Sequence, residues 1–513
     1  MKKQLLSLFW LSLLIVPVMH AKDYPVSSPD GKLKAIVQVD EDISIQFMGD
    51  ETDVFKITSI DMIIDGKSLA EKPRVRKTSV TSVNETVMPL YGINKTLKDE
   101  YNELIIRFRG DYSMNVRAYN NAIAYRFNTS MDGDITVDNE TAEFNFSNDY
   151  EIMQLGNAEG WHGYETNYVS GKLSKSDSIK FKCLPLGVKV NDNLKLAILE
   201  SDLLDYPGMY LTNTKDKNNS LSALFPPYPL KVEKGGHNGF NMVVKETADY
   251  IAKTNGTRSY PWRVIAVARE DKDFLNNDIV YLLASESKIG VADWVKPGKV
   301  AWDWWNALNL YGVDFKTGFN TETYKYFIDF AAANNIEYIN LDEGWSDQFD
   351  LLDVTDKLDV KEVVDYATSK NVGVILWCVW HTLDRQMQEA LDQFEEWGIV
   401  GVKVDFMDRD DQLGVQFYER LLKESAKRKV FVNYHGAYKP AGLRRTYPNL
   451  INREAVLGLE YSKWSDKVTP DHNVTIPFFR MLAGPMDYTP GAMINANNDN
   501  FCPRFEKPMS QGT

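Results

Sequence analysis

Residues 372–408 read VGVILWCVWHTLDRQMQEALDQFEEWGIVGVKVDFMD. An apolar run, Val372–Trp380, leads into an amphipathic stretch, Asp384–Gly398, and a second apolar run follows that ends on Asp405. Apolar strands without polar alternation are buried on both faces, and a helix between two of them specifies parallel pairing. The same rhythm extends in both directions. Further strand candidates are KVAWDWWN (299–306), IEYINLDEGW (336–345), KVFVNYHG (429–436) and NLINREAV (449–456). Amphipathic stretches over 321–335, 360–370 and 413–428 alternate with them. The repeat is about thirty to forty residues, the length of a strand–helix–strand unit. Seven units, counting RMLAGPMDYTPG at 480–491, point to a (β/α)8 TIM barrel rather than an open sheet.

Upstream the rhythm changes. KLKAIVQVD, ISIQFMG, ELIIRFRG, MNVRAYN and AIAYRFNT are short alternating or β-branched runs separated by turns such as SPDG and MDGD. Strands at this spacing without helices between them predict a large β-sandwich. The expected architecture is a multidomain β plus α/β chain. It has a signal peptide at 1–21, an N-terminal β-sandwich at 22–290 and the barrel at 291–513. The chain stops at MSQGT before a visible eighth unit, so the barrel is expected to be truncated near its end.

The leader reading rests on Lys2 and Lys3, the apolar run Leu5–Val18 and Ala21 as a cleavage position. It implies export across the inner membrane to the periplasm or beyond, with no membrane span. A net charge of −14 disfavours nucleic acid and anionic lipid. Cys183, Cys378 and Cys502 form neither a disulfide framework nor a CxxC metal site.

Barrel enzymes place their chemistry at the C-terminal ends of the strands. Here the first strand ends in Trp302-Asp303-Trp304-Trp305, the second in Asp342-Glu343 and the third in Trp377-Cys378-Val379-Trp380-His381. The fourth ends in Lys403-Val404-Asp405, the fifth in His435-Gly436 and the sixth in Arg453-Glu454. Charges buried at so many strand ends need a common purpose, because each is costly alone. No Walker loop, GxGxxG, GxSxG or HExxH is present. Carboxylates interleaved with Trp and His remain, the inventory of a glycosidase acting on a sugar. Lys403 is two residues before Asp405, on the same side of the strand, where its ammonium would keep a nucleophilic carboxylate ionised. A structural Lys–Asp pair would have the same spacing. Asp408 and Asp410 read as caps of the next helix. Trp304 is a sugar platform or core bulk; His381 and His435 are hydroxyl partners or packed histidines.

GVKVDFMDRDDQ (401–412), NYHGAYKPAGLRRTYPNL (433–450), NREAVLGLEYSKW (452–464) and AGPMDYTPGAM (483–493) resemble glycoside hydrolase family 97, as does GWHGYETNY (160–168) in the sandwich. That family comprises calcium-dependent exo-α-glycosidases with a sandwich before the barrel and a further sandwich after it. Its inverting branch carries a glutamate base after the strand-five histidine and lacks the strand-four aspartate. Gly436 and Asp405 therefore resemble the retaining branch of α-galactosidases. The resemblance implies Asp405 as nucleophile and Glu460 as acid/base, and Ca²⁺ as cofactor held by Glu165, Glu454 and Glu460; the strand-end reading puts Lys403, His435, His381, Trp304 and Asp342 around the sugar. The substrate would be an oligosaccharide-derived glycoside, and the chain a monomer or weak oligomer. A β-L-arabinopyranosidase or α-glucosidase of the same family is the alternative within the enzyme class. An inactive carbohydrate-binding protein, or a fragment that does not fold, is the alternative outside it.

Overall fold

The structure, a computed structural model, describes residues 22–50, 52–156, 160–161, 163–177 and 179–511. The leader reading at 1–21 lies outside the described residues.

The N-terminal half is a β-sandwich in which, among the described residues, 17 strands form one hydrogen-bonded network. Alternation builds it: Leu33–Val39 buries every second residue and pairs antiparallel with Ile43–Gly49. The 25-residue strand Ala122–Phe146 ties the layers together. It pairs with Thr52–Ile64, Tyr112–Tyr119, Ser220–Leu224, Ala252–Ser259 and Trp262–Ala268. A separate hairpin, Pro229–Gly235 with Asn241–Thr247, pairs only with itself.

The second half begins its parallel sheet at Val300–Trp302. Tyr338–Leu341, Gly373–Val379, Gly401–Asp405, Phe431–Tyr434 and Leu450–Arg453 follow in sequence order, making six parallel strands among the described residues. A parallel bridge from Arg453 to Met486 marks where a seventh segment joins. Gly373–Val379 and Gly401–Asp405 are buried almost throughout, as strands covered by helices must be. The covering helices include Thr321–Ala333, Val360–Ser369, Met387–Trp397 and Gln412–Lys427. Three begin on side-chain caps, with Asn320, Asp359 and Asp411 each accepting from a first-turn amide. Gly398, at φ +87°, ends the Met387–Trp397 helix in the left-handed conformation that glycine supplies cheaply.

One hydrophobic core runs from the sandwich into the barrel. Buried charges stitch the two halves together: Glu200 of the sandwich bonds Arg263 at 2.6 Å and also Lys439 of the barrel half. Cys183 and Cys378 are buried, Cys502 is exposed, and all three are free thiols. No helix among the described residues is long and apolar enough to cross a membrane.

Candidate active site

A cavity of about 650 Å³ opens at the C-terminal ends of the barrel strands. Asp405, Glu460, Lys403, His435, Trp304, Asp342, Glu165 and Glu454 all line it. Eight of the nine site residues read from the sequence thus line one cavity. The ninth, His381, does not line the cavity. It is buried, its Nε2 lies 3.2 Å from the Gly239 carbonyl, and its ring stacks on Phe349.

Strand four delivers Asp405 to the mouth. Its Oδ1 accepts from the Phe406 amide at 2.8 Å and its Oδ2 from Trp377 Nε1 at 3.0 Å. Lys403 shares its side of the strand, but its salt bridge goes elsewhere. Nζ reaches Asp342 Oδ2 at 2.9 Å and sits 4.2 Å from the centre of the Trp302 ring. The expected Lys403–Asp405 pair is therefore corrected to Lys403–Asp342. Burial alone would lower the Lys403 pKa; Asp342, then Glu460 and Asp405, override it and hold the ammonium charged. Burial would likewise raise Asp342, and Lys403 holds it below the usual carboxylate range. Trp302 Nε1 at 2.5 Å and Asn340 Nδ2 at 2.8 Å also donate to Asp342 Oδ2. That oxygen is fully committed to the protein.

Glu460 sits on the short turn Leu459–Lys463 beyond strand six. Its amide donates to Thr489 Oγ1 at 2.9 Å, and Trp304 Nε1 donates to its Oε1 at 3.1 Å. Burial raises its pKa, opposed by Lys403 and His435 and reinforced by Asp342 and Asp405. Glu454 Oε2 accepts from the Gly436 amide at 3.0 Å. Its pKa is raised by burial, then by Glu165, Glu460 and Asp405. Glu165 accepts from Tyr461 Oη at 2.7 Å and is pushed up to about 8 by burial and then by Asp408.

Ligand atoms of His435, Glu454 and Glu460 lie within 4.8 Å of one another. Glu165 lines the same cavity but stands outside this trio. His435 Nε2 meets Asp487 Oδ2 at 2.8 Å, which leaves Nδ1 facing Glu454 Oε2 at 3.5 Å. A carboxylate behind an imidazole fixes which nitrogen faces forward. The donor set is rich in buried carboxylate oxygens, and no thiol lines the cavity among the described residues. Such donors, raising one another's pKa, suit a hard divalent cation.

The helix-cap reading of Asp408 and Asp410 is also corrected. The helix starts at Gln412, and Asp411 caps it by accepting from the Gly414 amide at 3.1 Å. Phe406 and Asp408 adopt left-handed φ values of +67° and +44°, which turn the chain back over the mouth before the helix begins. Asp408 thereby lines the cavity, pushed up to about 7 by burial and by Asp405. Asp410 is buried, accepts from Tyr210 Oη at 3.0 Å and is pushed up to about 7, chiefly by burial.

Glu343, Trp377, Tyr461 and Trp464 also line the cavity, as does His237 from the sandwich hairpin. The first two were visible at strand ends. Nothing in the sequence around His237 marks it, because only the folded hairpin brings it there.

A sandwich joined to a parallel barrel, with carboxylates, tryptophans and a lysine gathered at the strand ends, defines a glycosidase. The family profile described as "Glycosyl-hydrolase 97 N-terminal" matches residues 26–285, and "Glycoside hydrolase 97" matches residues 304–456. The chain is 42% identical to a retaining alpha-galactosidase of Bacteroides thetaiotaomicron, over 100% of this chain and 79% of that protein. It is 32% identical to a probable retaining alpha-galactosidase of Streptomyces bingchenggensis, over 49% of this chain and 39% of that one. A family 97 enzyme of Pseudoalteromonas sp. strain K8, solved with acarbose, superposes with a TM-score of 0.80 at 26% identity, covering 91% of this chain and 74% of its own. The chain belongs to glycoside hydrolase family 97.

Proposed function

We propose that this glycosidase is retaining and exo-acting and releases terminal α-galactosyl residues, with Asp405 as nucleophile and Glu460 as acid/base. The observation that carries the reading is the fit between Gly436 and Asp405. A Cβ on Gly436 would stand 2.7 Å from the Phe406 nitrogen and 3.1 Å from Asp405 Oδ1. In this backbone a side-chain base at 436 and the Asp405 turn exclude each other, so strand four rather than position 436 brings its carboxylate to the cavity. The 42% identical retaining alpha-galactosidase supports the stereochemistry and the sugar. The leader-like residues 1–21 support action in the periplasm or outside the cell.

The Asp405 carboxylate attacks the anomeric carbon as the glycosidic bond breaks. Each of its oxygens gives one lone pair to an N–H donor, which fixes its plane and leaves the other lone pair for bonding. Glu460, whose pKa burial raises against the pull of Lys403 and His435, gives its proton to the departing oxygen. In the second half Glu460 takes a proton from water, which attacks from the face the aglycone left, opposite Asp405, and displaces the Asp405 carboxylate. The product keeps the substrate's anomeric configuration. Lys403 and Trp304 hold sugar hydroxyls and ring, and Trp304 also orients Glu460.

Glu165, Glu454 and Glu460 would hold Ca²⁺; Glu454 and Glu460 group with His435, and Glu165 lines the same cavity from outside that trio. Bound there, the ion would supply a positive centre that offsets the charge of Glu165 and Glu454 and polarises a substrate hydroxyl.

Asp405→Ala should lower turnover of an aryl α-galactoside by at least about 10³-fold. Azide should restore part of it and give the β-galactosyl azide, since azide fills the space of the lost carboxylate. An α-galactosyl azide would remove Asp405 from the role.

A further inference from the structure

We propose that Asn241, on a hairpin of the sandwich half, is a positioning residue that sets the aim of Asp405. The inference rests on the reading of Asp405 as the nucleophile.

The hairpin formed by Pro229–Gly235 and Asn241–Thr247 leans over the barrel mouth. Its tip is wedged in place by Phe240, which is 2% exposed and packs edge-on against Phe406 at 5.1 Å and Trp377 at 5.9 Å. The next residue, Asn241, turns its amide to the catalytic turn. Nδ2 donates to the Phe406 carbonyl at 2.9 Å and to Asp408 Oδ2 at 2.6 Å. Gly236 makes room for this amide, since a Cβ there would stand 1.9 Å from Asn241 Oδ1.

The two acceptors belong to the two residues of the turn whose backbone is strained. Phe406 is at φ +67° and Asp408 at φ +44°, a region costly for residues with a side chain. Such a conformation persists only where the surroundings impose it. The barrel supplies one restraint, the Asp408 amide donating to the Gly436 carbonyl at 2.7 Å. Asn241 adds two hydrogen bonds from outside the barrel, beside the packing of Phe240 and Trp377 on the Phe406 ring. The consequence reaches the nucleophile through one peptide: the Phe406 amide is the donor that orients Asp405 Oδ1 at 2.8 Å. If Phe406 relaxes to negative φ, that N–H swings away and the carboxylate loses its setting. The position requires a donor, because both partners are acceptors. An aspartate of the same shape would face an oxygen at each contact.

The test uses the full chain and an aryl α-galactoside. Asn241→Ala and the isosteric Asn241→Asp should each lower kcat by about 10- to 100-fold, the scale of loss for a misplaced reacting group. KM and the thermal midpoint should stay near those of the parent. Asn241 acts through Asp405, so adding Asn241→Ala to Asp405→Ala should leave the azide-rescued rate within about twofold of the single variant, the non-additivity of groups that act as a unit. Parent-like kcat in both variants overturns the proposal. So does a fall in kcat matched by a fall in thermal midpoint in both, or a full further loss in the rescued double variant. If azide fails to rescue Asp405→Ala by itself, the nucleophile assignment fails and this inference with it; a rescued single variant with a further loss in the double overturns Asn241 alone.

Discussion

Gly436 shows how much one missing side chain can decide. Its φ of +50° already favours glycine, and the Asp405–Phe406 turn occupies the space where a Cβ would go. Gly436→Ala should destabilise the fold by about 1–3 kcal/mol, the cost of a non-glycine residue held at positive φ. It should also lower kcat, because relief of the contact with the Phe406 nitrogen moves the amide that orients Asp405. Urea denaturation and kcat on an aryl galactoside check the two effects; unchanged values of both would mean that the turn yields freely. The glycine was legible as the absence of a base only through the family resemblance. That a neighbour fills its place was not, since residue identity carries no information about which backbone approaches it.

At the scale of elements, strands one, two and four meet in a buried network. Lys403 bonds Asp342 at 2.9 Å, and both side chains are 8% exposed. Trp302 and Asn340 complete the shell around the same carboxylate oxygen. Breaking a buried pair strands the remaining charge, at a cost of about 3–5 kcal/mol. Lys403→Met should therefore destabilise the protein on that scale, and Asp342→Asn combined with it should recover part of the loss. A double-mutant cycle by chemical denaturation measures the coupling; strictly additive effects would contradict it. The period-two rule placed Lys403 on the correct side of its strand. It could not name the partner, because Asp342 is two strands away and the neighbours in register are Trp377 and Asn433. The strands themselves were legible as unbroken apolar runs. The loop after strand four was not, because Asp is equally at home in a cap and in a left-handed turn, and only Asp411 took the cap.

At the scale of the whole molecule, the candidate site belongs to both halves. Glu165, His237 and Asn241 arrive from the sandwich, while the barrel supplies the remaining carboxylates. Sequence reading reached Glu165 only through a family resemblance and missed the hairpin, since contacts between residues so far apart leave no local pattern. If Ca²⁺ occupies the carboxylate cluster, a chelator should reduce activity and lower the thermal midpoint, and added Ca²⁺ should reverse both. An ion at about 100 times its Kd adds about 2.7 kcal/mol to folding stability. Glu454→Gln should shrink that calcium-dependent shift more than Asp408→Asn does, measured by calorimetry; an unchanged midpoint after exhaustive chelation would contradict the cation site. The central claim, displacement at the anomeric carbon by Asp405 with Glu460 as acid/base, is tested most directly by the anomer released first. Proton NMR during the early hydrolysis of an aryl α-galactoside by the full chain, before mutarotation, should show α-galactose appearing ahead of β-galactose; β-galactose appearing first would mean inversion and would remove Asp405 as the nucleophile.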